Sequence, residues 1–205
     1  MAISKKIIKF LEEKKIKYEP LEHRTVYTAF DKAATLKVLP SMVVKTLLLK
    51  VDRRHVLVMI GADRILDEKK FKKTVNTWLK ESGQKPIKSI QFGKENWMKK
   101  NLKGIKVGTV PPFGEIWKLV TFVDKSLLRN KKLIVNGGDY NFSIKLSPAQ
   151  LKKVENLVAG SFSKKKPKKR TRKKKVKRSK TNLKTKKTVK KKTKAKRTKR
   201  KSTRR

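Results

Sequence analysis

The chain has 205 residues, of which 61 are lysine or arginine and 15 are aspartate or glutamate, so its net charge is +46. It contains no cysteine, which excludes disulfides, thiolate metal sites and a cysteine nucleophile. It also lacks an N-terminal apolar signal segment and any 18-residue apolar span, so we expect a cytoplasmic protein with no membrane partner.

The positive charge is unevenly distributed. From Lys164 to Arg205 there are 27 basic residues and no acidic one, which leaves 34 basic and 15 acidic residues for the first 163 positions. The first part is long enough for a hydrophobic core, whereas the last has too few apolar side chains to offset the entropy of ordering it. We therefore predict a folded domain over residues 1–160 and a disordered Lys/Arg-rich tail over residues 161–205.

Helices and strands are interspersed in the first part. Helices are predicted at 3–15, after Thr28, after Asp67, at 93–100 and after Ser147 with an apolar stripe reaching Val158; strands are predicted at 42–51, 55–60, 87–92, 118–124, 132–136 and 140–146. The first two strands and the last two are spaced as antiparallel hairpins. This pattern predicts an α/β fold: a mixed, largely antiparallel β-sheet or barrel with helices packed outside.

One lysine is out of place in the first predicted strand. Because strand side chains alternate between faces, Lys45 is the single polar residue on a face that it shares with Val43, Leu47, Leu49 and Val51. A buried ammonium without a partner costs several kcal/mol, so we expect Lys45 to meet an anionic or strongly polar group. The alternative is a lysine at the strand end that extends its charge into water.

A second unusual stretch is the loop from Gly104 to Gly114, which holds three glycines and two adjacent prolines. Gly108 can bring its amide N–H close to a ligand, while Pro111 and Pro112 restrict the backbone around it. This combination suits the binding of a carbonyl or a developing oxyanion. An ordinary rigid turn before a strand is the alternative.

Other common chemistries are poorly represented. His23 and His55 are the two histidines and stand 32 residues apart, so there is no metal-ligand cluster and little material for a Ser-His-Asp triad. The glycines form neither a Walker loop nor a Rossmann fingerprint. We therefore expect no metal and no other cofactor.

The order of these motifs resembles the YbaK/prolyl-tRNA-synthetase-associated editing domain over residues 3 to 158. The resemblance rests on His23, Thr28-Ala29, Val43-Val44-Lys45-Thr46-Leu47, the loop from Gly108 to Gly114, Val123-Asp124 and Asn136-Gly137-Gly138. It implies a freestanding, metal-independent aminoacyl-tRNA deacylase. Such enzymes hydrolyse the ester of a wrong amino acid, typically alanine or cysteine on proline tRNA.

Carried over by position, the resemblance implies that Lys45 holds the terminal adenosine or the aminoacyl group, and that the Gly108 and Thr109 amides bind the substrate carbonyl. The attacking group would be water or a group of the substrate itself. Further substrate-binding positions are His23, Thr28, Val110, Pro111, Pro112, Phe113, Gly114, Asp124 and Gly137. For His23 and Asp124, a packing or hydrogen-bonding role is the alternative.

Departures from the family pattern bear on specificity and partners. The loop reads Thr-Val-Pro-Pro where relatives have a small polar residue before a single proline, beside the expected amino-acid pocket. The basic tail has no counterpart in the family, and it binds polyanions by releasing counterions, without aromatic residues for base stacking. Mischarged tRNA is the expected partner, with DNA or ribosomal RNA as further partners of the tail, which could also serve only to solubilise or localise the protein.

Two other classes of function stay open at this point. A catalytically idle nucleic-acid-binding or nucleoid-associated protein would keep the tail but would not need Lys45. An accessory module of an aminoacyl-tRNA synthetase would need a protein interface, for which the regions around Trp78 and Trp97 are the candidates.

Overall fold

The computed structural model describes residues 3–154 and 156–167. The α-helices in this part are α1 Lys5–Glu13, α2 Ala29–Thr35, α3 Glu68–Glu81, α4 Glu95–Asn101 and α5 Pro148–Leu151. The strands are β1 Glu19–Glu22, β2 Val44–Val51, β3 Arg54–Gly61, β4 Arg64–Leu66, β5 Ile90–Phe92, β6 Val120–Asp124, β7 Leu133–Asn136, β8 Phe142–Leu146, β9 Leu157–Gly160 and β10 Ser163–Lys165. None of the described helices is long and apolar enough to cross a membrane.

The strands form three sheets. The central sheet has the order β5-β2-β3-β6-β9, with antiparallel pairing around β2 and parallel pairing of β6 with β3 and β9. A second sheet, β1-β8-β7, is antiparallel, and so is the pair β4–β10. The predicted α/β class with mixed, largely antiparallel sheets and outer helices is confirmed.

The central sheet buries apolar side chains on both faces. On one face α3 contributes Phe71, Val75 and Leu79, and the Phe71 ring meets Phe122 edge to face with centroids 5.2 Å apart. On the other face α1 and the second sheet enclose a separate cluster. Each fully buried large side chain contributes about 1.5–3 kcal/mol, so these two layers hold β2 and β3 rigidly between them.

Local capping signals are confirmed. The side chains of Thr28, Asp67 and Ser147 accept hydrogen bonds from backbone N–H groups three residues later, at the starts of α2, α3 and α5. These contacts satisfy amide groups that have no partner inside the helix. The starts of the three helices were therefore readable from residue type alone.

The predicted closing helix is wrong beyond its first turn. Helix α5 ends at Leu151, and Leu157 and Val158 belong to β9, which pairs in parallel with β6. A short apolar run fits a strand as well as a helix, and here the open edge of β6 decides between the two.

The folded unit also continues beyond the predicted boundary at residue 160. Strand β10 pairs with β4, and the Phe162 ring is fully buried with its centroid 5.3 Å from that of Phe71. The compact unit ends at Pro167. The rest of the predicted tail, residues 168–205, lies outside the described residues.

Candidate active site

A pocket of about 200 Å³ lies between the start of α2, the first half of β2, the loop at 106–110 and the β7–β8 hairpin. Its lining residues are Val26, Tyr27, Thr28, Ala29, Lys32, Lys45, Thr46, Leu47, Gly108, Thr109, Asn136 and Tyr140. Among the described residues, this lining holds two lysines and no carboxylate. Such a pocket is suited to an anionic or electron-rich ligand.

Lys45 reaches this pocket from the start of β2. Among the described residues, β5 pairs with β2 at Leu49–Val51. The preceding part of β2, at Lys45–Leu47, lines the pocket instead. The half-buried Lys45 ammonium donates to the backbone carbonyl of Arg64 in β4. Burial lowers the pKa of Lys45, the charge of Lys166 lowers it further, and Asp63 opposes the shift. The polar partner expected from the sequence is thus a carbonyl oxygen.

Lys32 is a second pocket lysine, and the sequence interpretation missed it. Its side chain is only 4% exposed, and its ammonium donates to Asn136 Oδ1 at 2.7 Å. Burial lowers the pKa of Lys32 to about 8. The signal in the sequence was its spacing, since Lys32 stands three residues after Ala29 and four before Leu36, beside the apolar side of α2.

The backbone amides of Gly108 and Thr109 were both predicted to bind the substrate carbonyl. Of these two, the Gly108 amide is the one that is free of a hydrogen bond within the described residues. Gly108 is exposed at φ +82°, and its N–H has no hydrogen-bond partner among the described residues. The Thr109 N–H donates to the Lys106 carbonyl at 3.0 Å, and the Thr109 hydroxyl donates to the same oxygen at 2.8 Å. Thr109 therefore shapes the turn that presents Gly108.

The β7–β8 hairpin holds this loop in place. The Tyr140 hydroxyl donates to the Val107 carbonyl at 2.8 Å, and Asn136 Nδ2 donates to the Val110 carbonyl at 3.4 Å. Asn136 therefore connects the Lys32 ammonium to the glycine loop. A polar network of this kind fixes the loop and the lysine relative to each other.

One hydroxyl in the pocket wall lacks a hydrogen-bond partner among the described residues. Thr46 Oγ1 is buried in the pocket wall and has no hydrogen-bond partner within residues 3–154 and 156–167. A buried polar atom without a partner is costly, so this hydroxyl destabilises the pocket wall. In the same described ranges no three His, Asp or Glu side chains form a group that could hold a metal ion.

Thr28 and His23 have structural partners. Thr28 lines the pocket, but its hydroxyl accepts from the Asp31 N–H at 3.0 Å and donates to Asp31 Oδ2 at 2.6 Å. His23 is not a lining residue, and its ring nitrogens lie 2.9 Å from the Arg24 carbonyl and from Ser143 Oγ. Burial lowers the pKa of His23, and the charge of Lys32 lowers it further, whereas the hydrogen bond to Arg24 raises it.

Asp124 is the buried last residue of β6 and lies away from the pocket lining. One carboxylate oxygen accepts from the Ser126 N–H at 2.9 Å and the other from the Phe162 N–H at 2.9 Å. Burial acts to raise the pKa of Asp124, but the hydrogen bonds from Ser126 and Phe162 outweigh it and lower the pKa. Its geometry fits the hydrogen-bonding alternative, because it ties β6 to the segment that precedes β10.

The remaining predicted positions are buried, and the structure does not bring them to the pocket lining: they are Val110, Pro111, Pro112, Phe113, Gly114 and Gly137. The Phe113 ring packs against Phe10 with centroids 5.6 Å apart. A Cβ added at Gly137 would lie 3.2 Å from the Phe142 carbonyl oxygen, so a larger residue there would push the β8 backbone aside slightly. These residues therefore anchor the loop and the hairpin in the protein interior.

The described residues thus form a mixed α/β domain whose pocket is lined by Lys32, Lys45 and the glycine loop at Gly108. Residues 23–154 match the aminoacyl-tRNA editing domain, and the chain belongs to this family.

Individual relatives agree with this assignment. The prolyl-tRNA editing protein ProX of Acetoanaerobium sticklandii is 27% identical over 162 residues, covering 76% of this chain and 92% of ProX. The crystal structure of the hypothetical protein APE2540 aligns with a TM-score of 0.65 at 24% identity, covering 78% of this chain and 100% of its own. The crystal structure of a protein proposed to be a trans-editing enzyme for prolyl tRNA synthetase aligns with a TM-score of 0.63 at 19% identity. The alignment covers 78% of this chain and 95% of that chain. The two structures support the fold.

Proposed function

We propose that this protein is a trans-acting aminoacyl-tRNA deacylase that hydrolyses the ester of a mischarged amino acid, with alanine or cysteine on proline tRNA as the substrate type. The observation that carries the proposal is the pocket that combines two lysines, a free Gly108 amide and no carboxylate. Family membership and the name of the ProX relative support the same substrate class.

In the proposed reaction, water adds to the ester carbonyl carbon and the bond to the ribose oxygen breaks. The products are a free amino acid and a tRNA with a free terminal hydroxyl, which takes up one of the water protons. The Gly108 N–H donates to the oxyanion of the tetrahedral intermediate, where charge develops. No nucleophile from the protein and no metal ion is required.

The two lysines supply positive charge at short range. Lys45 holds the terminal adenosine or the aminoacyl group, and the more deeply buried Lys32 stabilises negative charge near the glycine loop through its position beside Asn136. Because both ammoniums are partly or wholly removed from water, their attraction for the substrate is less screened than at the surface.

Pocket size supports a small amino acid. Ligand sites for larger molecules enclose about 300–1,000 Å³, and this pocket encloses about 200 Å³. Val110 and Pro111, expected from sequence to line the amino-acid pocket, are buried and are absent from its lining. Selectivity between alanine and cysteine therefore depends on Thr46, Leu47 and the aromatic side chains at the pocket rim.

We further propose that the basic tail aids tRNA binding, with DNA and ribosomal RNA as competing partners. A synthetase partner has less support, because the two candidate tryptophans, Trp78 and Trp97, are engaged within the domain. The Trp78 ring packs edge-on against Phe122 at 5.7 Å, and the Trp97 ring stacks on His55 at 3.7 Å.

A deacylation assay of the full-length chain against a panel of mischarged tRNAs tests the proposal. We expect hydrolysis of Ala- or Cys-tRNA(Pro) and little hydrolysis of correctly charged Pro-tRNA(Pro). If every aminoacyl ester survives while tRNA or DNA is bound tightly, the protein is a nucleic-acid-binding protein and the enzymatic proposal is wrong.

A further inference from the structure

A second, larger pocket lies at the opposite end of β2 from Lys45. It encloses about 860 Å³ between the β2–β3 turn, the second half of α3, the segment at 84–88 and residues 118–120. Its floor is apolar and buried, with Val51, Val75 and Ile87 among its residues. We call it the basic pocket, because of the residues around its rim.

The rim carries five cations, namely Arg53, Arg54, Lys85, Lys88 and Lys118, all of them exposed. Within the described part of the chain, none of the five has a carboxylate within 4.0 Å. The pocket has one acidic lining residue, Asp52, and its oxygens accept from the backbone N–H groups of Lys88 at 3.1 Å and Ser89 at 2.8 Å. The rim is therefore strongly positive.

The positive surface continues along α3. Lys69, Lys72, Lys73 and Lys80 surround a shallow depression on the exposed side of this helix, with no acidic residue in its lining. The Lys72 ammonium donates to the Lys88 carbonyl at 2.9 Å, which joins the row of helix lysines to the rim of the basic pocket. The two features form one continuous surface.

We propose that the basic pocket and the lysine side of α3 form a second RNA-binding surface, which contacts the tRNA away from the reacting ester. The choice of RNA rests on the proposed deacylase function. Lys45 and Val51 are six residues apart in β2, so about 20 Å of strand separates the two sites. An RNA strand spans this distance, whereas a single small ligand does not.

The chemistry of the surface matches that of RNA. Exposed lysines and arginines bind phosphates and release counterions, which makes affinity fall steeply with salt. The apolar floor accepts the face of an unpaired base, which contributes about 1–3 kcal/mol where it stacks. Because no rim cation has a carboxylate partner within the described residues, phosphate contacts there break no existing ion pair.

The test uses the full-length chain, so that the tail is the same in every protein. One variant carries Arg53→Gln, Lys85→Gln and Lys88→Gln, and a control carries Lys5→Gln, Lys6→Gln and Lys9→Gln on α1, with the same change in charge. Each is assayed on a full-length mischarged tRNA and on a short aminoacyl-oligonucleotide that carries only the 3′ end. Thermal melting confirms that both variants are folded.

We expect the first variant to raise KM for the full-length tRNA about tenfold with an unchanged kcat, and to treat the short substrate as the wild type does. Its slope of log affinity against log salt should fall by about two to three units, since three phosphate contacts contribute about 0.7–0.9 each. The control should match the wild type on both substrates.

Equal losses in the two variants would overturn the proposal, because they would reflect net charge alone, and so would an unchanged first variant. A loss of duplex DNA affinity without a loss of tRNA affinity would also overturn it. If the wild type hydrolyses neither substrate, the deacylase proposal fails separately, and binding of uncharged tRNA by the two variants still decides whether this surface exists.

Discussion

The two ends of β2 carry positive charge in opposite ways. At the Lys45 end, the ammoniums of Lys32 and Lys45 are withdrawn from water, and each donates to one oxygen of the protein. At the Val51 end, five cations stand in solvent around an apolar floor. Burying a charge costs free energy but strengthens its field, whereas an exposed charge costs little and is screened by salt. The buried lysines are therefore suited to catalysis, and the exposed cations are suited to binding a large polyanion.

The strongest loss of activity is expected for a substitution at the Lys45 end of β2. Lys45→Ala should lower kcat for deacylation by about 10³-fold, because the terminal adenosine or aminoacyl group is no longer held in the reactive geometry. Stability should stay the same or rise, because a half-buried charge is removed. The matched control is Lys50→Ala, an exposed lysine of the same strand. Wild-type turnover by Lys45→Ala, measured at saturating substrate, would remove this lysine from the mechanism.

A truncation separates the tail from the basic pocket. The chain should be cut after Pro167, because a cut after Gly160 would remove the buried Phe162 and β10. We expect an unchanged single-turnover rate at saturating enzyme and, if six phosphate contacts are lost, a salt slope that is flatter by about four to five units. The measurement is tRNA and DNA affinity at three salt concentrations. Loss of DNA binding alone would show that the tail does not serve tRNA.

The glycine loop offers a pair of matched substitutions. Gly108 and Gly104 both have φ +82°, and neither has a neighbour that blocks an added Cβ, but only Gly108 lines the pocket. Both valine variants carry similar backbone strain. Gly108→Val should lower kcat about 100-fold with little change in tRNA affinity, while Gly104→Val should retain turnover. Similar losses in both variants would indicate general damage to the loop.

The smallest expected effect concerns Lys32 and pH. Its pKa is about 8 in the folded protein and 10.5 ordinarily. Below pH 8 the lysine is charged in both the folded and unfolded states, and the cost of burying that charge is fully present. Between pH 8 and 10.5 the folded state loses this proton first, so stability rises with pH.

Lys32→Met lacks this dependence. Between pH 7 and pH 9.5, the free energy of unfolding should therefore rise by about 2 kcal/mol more for the wild type than for Lys32→Met. Denaturant unfolding at both pH values measures the difference, with the exposed Lys6→Met as control. A difference that does not change with pH would mean that Lys32 stays charged in the folded state.

Local features were predictable from the residues themselves. The N-caps at Thr28, Asp67 and Ser147, the β2–β3 and β7–β8 hairpins and the unusual position of Lys45 all depend on neighbours within a few residues. At this range a side chain and the backbone it contacts are adjacent in sequence, so spacing and residue type suffice.

The fold class, the strand that carries Lys45 and the glycine loop at Gly108 could be derived from the residues alone, because periodicity and glycine placement act locally. Three outcomes depend on long-range contacts: Leu157–Gly160 forms a strand on β6, Phe162 belongs to the core, and Lys32 bonds to Asn136, which is 104 residues away. Each of these outcomes depends on which surface a distant segment leaves open. Such a surface exists only after the chain has folded, so no local pattern records it.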